Sequence, residues 1–251
     1  MPTRDRARYW LDRWDRQQEH YMPDREERFA VIADVVEEVV RRPDPLIVDL
    51  GTGPGSLAVR LLERLPGARV VGIDADPLLR GLADLAHGSD RLRTVAGDLR
   101  EDTWFAALGL DRAPDAFVST TALHWMNRGP LRALISRCGA ELAPGGVFVD
   151  GDHLYEGPVA PRLDALARSL TARRAVRTGT DRPEDWQTWW RAVDEAPELA
   201  DLVKARAGGF AHVVDDRPTV HDYLTFLLEA GFAEAGTVWQ VGDDRVIVGI
   251  R

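Results

Sequence analysis

Three aspartates stand where apolar runs stop: Asp49 in LIVDLGTGPGS, Asp74 in RVVGIDADP and Asp98 in RTVAGDLRED. After the first come glycines at alternate positions, Gly51, Gly53 and Gly55. A glycine-rich turn lets a ligand approach the backbone closely. A carboxylate offers two oxygens to charge-assisted donors, so it suits an ammonium or a pair of hydroxyls. It does not suit a pyrophosphate, and Asp49 lies only two residues before Gly51.

The spacing discriminates further. A phosphate-binding P-loop needs a lysine and a hydroxyl residue after its last glycine, but Gly55 is followed by Ser56-Leu57-Ala58. A dinucleotide fingerprint puts its third glycine where Ser56 stands, and Pro54 removes a backbone donor. A ligand with an ammonium, a ribose and no phosphate fits better. A nicotinamide-dependent oxidoreductase stays open as a rival.

DLGTGPG at 49–55 resembles the first motif of the class I AdoMet-dependent methyltransferases, acid-x-Gly-x-Gly-x-Gly. The resemblance covers about 46–151 and 219–251. It implies S-adenosyl-L-methionine as cofactor, with the glycine loop under its methionine part and Asp49 linked to the amino group. It places Asp74 on the ribose hydroxyls, and Asp98 with the Leu99 amide at the adenine. The implied cofactor shell is Asp49, Gly51, Thr52, Gly53, Gly55, Asp74, Ala75, Asp98, Leu99, Ser119, Thr120 and His124.

The next station reads VSTTALHWMN, without the Asn/Asp-Pro-Pro-aromatic motif of enzymes that methylate planar amino groups. ALHW is similar to the trans-aconitate and malonyl-carrier-protein methyltransferases, which esterify carboxylates. His124 and His153 are the candidate catalytic residues, as base or as hydrogen-bond donor to an acceptor oxygen. Asp150, Asp152 and His153 look faintly like metal ligands, but no metal is expected. The expected activity is direct displacement of methyl onto an oxygen of a small molecule. A non-catalytic AdoMet-binding protein is the alternative, and it predicts no open pocket between 120–125 and the cap.

Elements that would hold these residues follow from patterning. Strand-like runs at 46–50, 69–74, 92–98, 115–120 and 146–151 alternate with helix-like runs at 56–65, 77–86, 102–108 and 131–142. Continuous apolar strands between helices predict a parallel sheet covered on both faces. Two alternating segments around Gly242-Asp243-Asp244 predict a C-terminal hairpin. The fold class is therefore α/β, doubly wound and Rossmann-like. It has a mostly parallel seven-stranded sheet, an antiparallel C-terminal hairpin and a helical cap.

One domain spans 1–251: a helical cover at 1–42, the AdoMet-binding core at 43–151, a cap on the substrate side at 152–218, and the last helix and hairpin at 219–251. Asp24 and Glu27 predict a capping box for a helix over 24–41, and Thr219 and Asp222 predict another. Trp186, Trp189, Trp190 and Val193 share one face of a helix started by Pro183. Tyr9, Trp10, Trp14 and Tyr21 are placed to line a closed site. Arg162, Arg168, Arg173, Arg174 and Arg177 form a basic set within the cap.

Composition sets the outer bounds. A net charge of −9 disfavours long contact with nucleic acid. Lys204 is the only lysine among 32 basic residues, so arginine clusters carry little weight here. No apolar run is long enough for a membrane span, and the first residues do not look like a secretion signal. The only cysteine, Cys138, allows no intrachain disulfide, which fits a reducing cytoplasm. The expected partner is a small-molecule substrate, with neither nucleic acid nor membrane.

Overall fold

A computed structural model describes residues 2–180, 184–206 and 214–251. Its centre is a seven-stranded sheet in the order β3-β2-β1-β4-β5-β7-β6. Strands β1 (Leu46–Leu50), β2 (Arg69–Asp74), β3 (Leu92–Ala96), β4 (Ala116–Thr120) and β5 (Val147–His153) pair in parallel. The hairpin β6 (Glu234–Val241) and β7 (Asp244–Ile250) then closes the edge antiparallel to β5. Chain order reverses between β1 and β4, so a crevice opens at their carboxyl ends, where open sheets of this kind bind ligands.

Helices cover both faces because the central strands are apolar on both. Helices α2 (Arg25–Val40) and α3 (Ser56–Arg64) pack Phe29, Ile32, Leu57 and Leu61 on one face. On the other, α6 (Arg128–Glu141) and α10 (Val220–Glu229) pack Leu134, Ile135, Phe226 and Leu227. The short α5 (Trp104–Ala107) adds Trp104. The predicted Thr219–Asp222 capping box is present on α10.

A third apolar cluster joins the N-terminal cover and the cap to the core. Helix α1 (Arg4–Tyr21) brings Ala7, Trp10 and Leu11 onto Leu78 and Leu82 of α4 (Pro77–His87). From the cap come Trp189, Trp190 and Val193 of α8 (Trp186–Asp194) and Leu202 of α9 (Ala200–Arg206). Trp189 is fully buried and meets Trp14 edge-on at 4.9 Å. The predicted tryptophan face is thus mostly core, while Trp186 stays exposed. Helix α7 (Pro161–Thr178) also belongs to the cap.

Several expectations need correction. Asp24 makes no capping hydrogen bond to α2; its carboxylate pairs instead with Arg174 of α7, tying cover to cap. Pro183 lies outside the described residues, and the cap on α8 is Asp185, whose side chain accepts from the Thr188 amide at 2.7 Å. Strand β5 runs on to His153, two residues beyond its expected end, because β7 pairs with it throughout. Strand β3 stops at Ala96, so Asp98 sits on the loop that follows.

Candidate active site

The turn from β1 to α3 is shaped by its glycines. Gly51 has φ +68°, and a Cβ there would come within 2.4 Å of the Ala122 methyl. Gly55, at φ +84°, enters α3 from the left-handed region. The amides of Gly51 and Thr52 donate to the Ile73 carbonyl at 2.9 and 3.1 Å. The Gly53 amide donates to Asp74 Oδ2 at 2.8 Å, and the Asp76 amide to Asp74 Oδ1 at 2.7 Å. Asp74 therefore holds the loop and the start of α4 against the tip of β2.

A cavity of about 280 Å³ lies over this turn. Of the residues expected at the cofactor, Gly51, Thr52, Gly53, Asp74, Ala75, Asp98, Leu99 and Thr120 line it. Asp49 lies beneath the floor, fully buried, with Oδ2 accepting from Thr52 Oγ1 at 2.6 Å and Oδ1 without a partner. Thr120 Oγ1 is also buried and unpartnered. Burial pushes the carboxyl of Asp49 up to about 7 and that of Asp74 up to about 6. Asp98 accepts from the Arg100 amide at 2.9 Å and pairs with its guanidinium at 2.6 Å. Gly55, Ser119 and His124 do not line this cavity; the Ser119 hydroxyl donates to the Leu50 carbonyl at 3.0 Å.

Two arginines at the cavity carried no recognisable sequence signal. Arg25 is buried in its wall, stacks 4.6 Å over Phe29 and pairs with Asp15 at 2.9 Å. Asp15 in turn accepts from Ser56 Oγ at 2.7 Å, so α1 is tied to the first residue of α3. Burial raises the Asp15 carboxyl, but the cations of Arg25 and Arg60 outweigh it and hold it below its usual range. Arg206 of α9 donates to Asp76 at 2.7 Å and lies 3.7 Å from the Trp190 ring, bringing the cap down onto α4.

A larger chamber of about 750 Å³ adjoins the first cavity. Trp14, Thr121, Trp125 and Trp186 are walls of both. Thr121 has φ +49°, a costly conformation for a β-branched residue. It is held there by its amide, which donates to the Gly151 carbonyl at 3.0 Å. Of the expected aromatic lining, Trp14 and Tyr21 reach the chamber, while Trp10 is core and Tyr9 stays exposed outside both cavities.

Both candidate histidines line the chamber. His124 Nδ1 lies 2.7 Å from Asp152 Oδ1, and the His124 amide donates to Asp152 Oδ2 at 3.0 Å. The His153 amide also donates to Asp152, at 2.7 Å. With Nδ1 committed, Nε2 is the nitrogen His124 has left to use. Burial raises the Asp152 carboxyl, but His124 and His153 outweigh that and hold it below the usual range. Its neighbour Asp150, fully buried on the same side of β5, is pushed well above it by burial and by Asp152. His153 Nδ1 stands 3.3 Å from Asp243 Oδ2, an ion-pair distance without hydrogen-bond alignment. Burial lowers the His153 value, yet Asp243 and Asp244 raise it overall.

Among the basic set, Arg168 lines the chamber and pairs with Asp164 at 2.5 Å. Arg162, Arg173 and Arg177 are exposed and outside it, and Arg174 serves Asp24. The cap adds a cation outside the expected basic set: Arg217, 4.6 Å over the Tyr155 ring. Among the described residues no group of three or more His, Cys, Asp or Glu is placed to hold a metal ion. No described helix is long and apolar enough to cross a membrane.

Comparison with known proteins bears on the same segment. Residues 47–146 match the family model described as a methyltransferase domain. A trans-aconitate 2-methyltransferase of Methylobacterium nodulans is 32% identical over 63% of this chain and 62% of its own length. A tRNA1(Val) (adenine(37)-N6)-methyltransferase of Porphyromonas gingivalis is 29% identical over 65% of this chain and 73% of its own. The chain spans about half the length of the trans-aconitate relatives it matches. In fold it is similar to an O-methyltransferase family protein from Burkholderia thailandensis. That likeness has a TM-score of 0.55 at 19% identity, over 88% of this chain and 55% of the other. Over residues 47–146 the chain thus matches a methyltransferase-domain model, and it resembles the class I AdoMet-dependent methyltransferases, the trans-aconitate 2-methyltransferases among them.

Proposed function

We propose that this protein is an AdoMet-dependent methyltransferase that moves a methyl group by direct displacement onto an oxygen of a small organic acceptor, a carboxylate or a hydroxyl. One observation carries the reading: the cavity over the glycine turn and the chamber under the cap share Thr121 and Trp125 as common walls. A donor in the first and an acceptor in the second would meet there. A protein that only bound AdoMet would have no use for an open chamber beside His124.

The residues of the first cavity suit the donor. Asp49 Oδ1 and Thr120 Oγ1 are buried polar atoms awaiting a partner, and no lysine stands ready for phosphate. Asp74 keeps lone pairs on both oxygens for the ribose hydroxyls, and Asp98 and Leu99 lie on the adenine side. Arg25 is the buried cation near the glycine turn, suited to the carboxylate of the amino-acid end. Bound there, AdoMet supplies a methyl group activated by its sulfonium. The protein's own work is then to align the acceptor oxygen and exclude water, which in the best intramolecular cases is worth about 7–11 kcal/mol. Trp14 and Trp186 shield the junction, and His124 Nε2 is the base for an acceptor that arrives protonated.

A net charge of −9 and a chamber roofed by the cap favour a small acceptor over a polynucleotide. Calorimetry with AdoHcy and with NADH tests the donor. Tight AdoHcy binding without NADH binding is expected, and the reverse result would return the chain to the oxidoreductases.

A further inference from the structure

The chamber's contents narrow the acceptor, provided the methyl-transfer reading holds. At about 750 Å³ it has the size of pockets that enclose drug-sized ligands. Its walls carry five aromatic side chains, Trp14, Tyr21, Trp125, Tyr155 and Trp186. Ala172 and Ala175 of α7 add small apolar side chains to the same lining. A compact aliphatic polyacid would find little here. Arg168 is already engaged by Asp164, and Asp243 adds a negative charge to the lining. Arg217 has no carboxylate partner among the described residues and lies over Tyr155, where a guanidinium extends an aromatic surface.

The histidine decides the reacting group. A carboxylate acceptor is already ionised near neutral pH and needs no base. His124 is nevertheless oriented by a fully buried aspartate, with one ring nitrogen left for the chamber. With the Nδ1 proton directed at Asp152, Nε2 presents a lone pair, which suits an acceptor that arrives carrying a proton.

We propose that the acceptor is a multi-ring aromatic molecule with a phenolic hydroxyl, held between the tryptophan and tyrosine walls. Its hydroxyl faces His124 Nε2, and a second oxygen substituent meets Arg217. In the transfer, the phenol O–H bond breaks and its proton goes to His124 Nε2. The oxygen electron pair forms the bond to the methyl carbon. The carbon–sulfur bond breaks with its pair going to sulfur, leaving neutral AdoHcy and an imidazolium paired with Asp152.

The test begins with AdoHcy calorimetry, so that a failure of the donor reading is seen separately and removes this proposal with it. Transfer from methyl-tritiated AdoMet is then measured on two- and three-ring phenols, including naphthols and hydroxylated flavonoids, and on aliphatic acids including trans-aconitate. Phenols are expected to exceed acids at least a hundredfold in kcat/KM. Analogues lacking the hydroxyl are expected to bind without turnover. His124→Gln is expected to lower kcat on phenols at least a hundredfold, with AdoHcy Kd within twofold of the parent. Label entering aliphatic acids as efficiently as phenols, or no phenol labelled while AdoHcy binds, overturns the proposal. So does a His124→Gln enzyme with unchanged kcat.

Discussion

His124 and Asp152 share a contact of 2.7 Å between Nδ1 and a carboxylate oxygen, although His124 lies in the segment after β4 and Asp152 near the end of β5. The aspartate, fully buried, engages Nδ1 and leaves Nε2 for the chamber that His124 lines. Asp152→Asn would replace an acceptor by an amide that can donate to Nδ1, favouring the tautomer with its proton on Nε2. On a protonated acceptor kcat should fall by about 10²–10⁴-fold, the usual span for general-base catalysis. AdoHcy affinity and melting temperature, measured together, should change little.

On the proposed reading, Asp74 should make donor binding depend on pH. Burial raises Asp49 to about 7 and Asp74 to about 6. Their folded-state values therefore exceed the unfolded carboxylate value of about 4. Stability of the ligand-free protein from these two groups is present below about pH 4 and is lost as pH rises through 6 and 7. Ribose hydroxyls donate to the ionised form, so AdoHcy should bind more tightly as pH rises. From Asp74 alone, Kd should improve roughly fourfold between pH 5.5 and 8. Calorimetry across that range, with Asp74→Asn removing that fourfold part of the profile, checks the sign.

Gly51→Ala should cost both binding and stability. The new methyl would stand 2.4 Å from the Ala122 side chain, at a φ of +68°. Strain of this kind is worth about 1–3 kcal/mol. Because Ala122 begins the segment leading to His124, AdoHcy binding and turnover should both fall. A thermal melt paired with AdoHcy titration separates the two losses.

Trp189 should matter to the cover and cap more than to the sheet. It is fully buried against Trp10, Trp14 and Trp190. Trp189→Ala should destabilise by about 3–5 kcal/mol where the whole fold responds. Hydrogen exchange should show the loss first in α1, α8 and α9, with β1 and β4 protected longer.

Arg206→Ala removes the ion pair to Asp76 and the stack on Trp190, both at the rim of the donor cavity. The dissociation rate of AdoHcy should rise several-fold in stopped-flow displacement, with the melting temperature of the ligand-free protein nearly unchanged.

By itself, the sequence determined the strands, the glycine turn and the placement of Asp49, Asp74 and Asp98 near strand tips. These depend on apolar runs and on backbone conformations open mainly to glycine, which are properties of neighbouring residues. The capping box on α10 was legible for the same reason, whereas the one expected at Asp24 does not form, its carboxylate being paired with the distant Arg174. Only the tertiary structure decided that Asp152 orients His124, that Arg25 and Arg206 reach the cavity over the glycine turn, and that the cap helps wall a chamber lined by aromatics. Those relations join segments far apart in the chain, and they follow from strand register and helix packing.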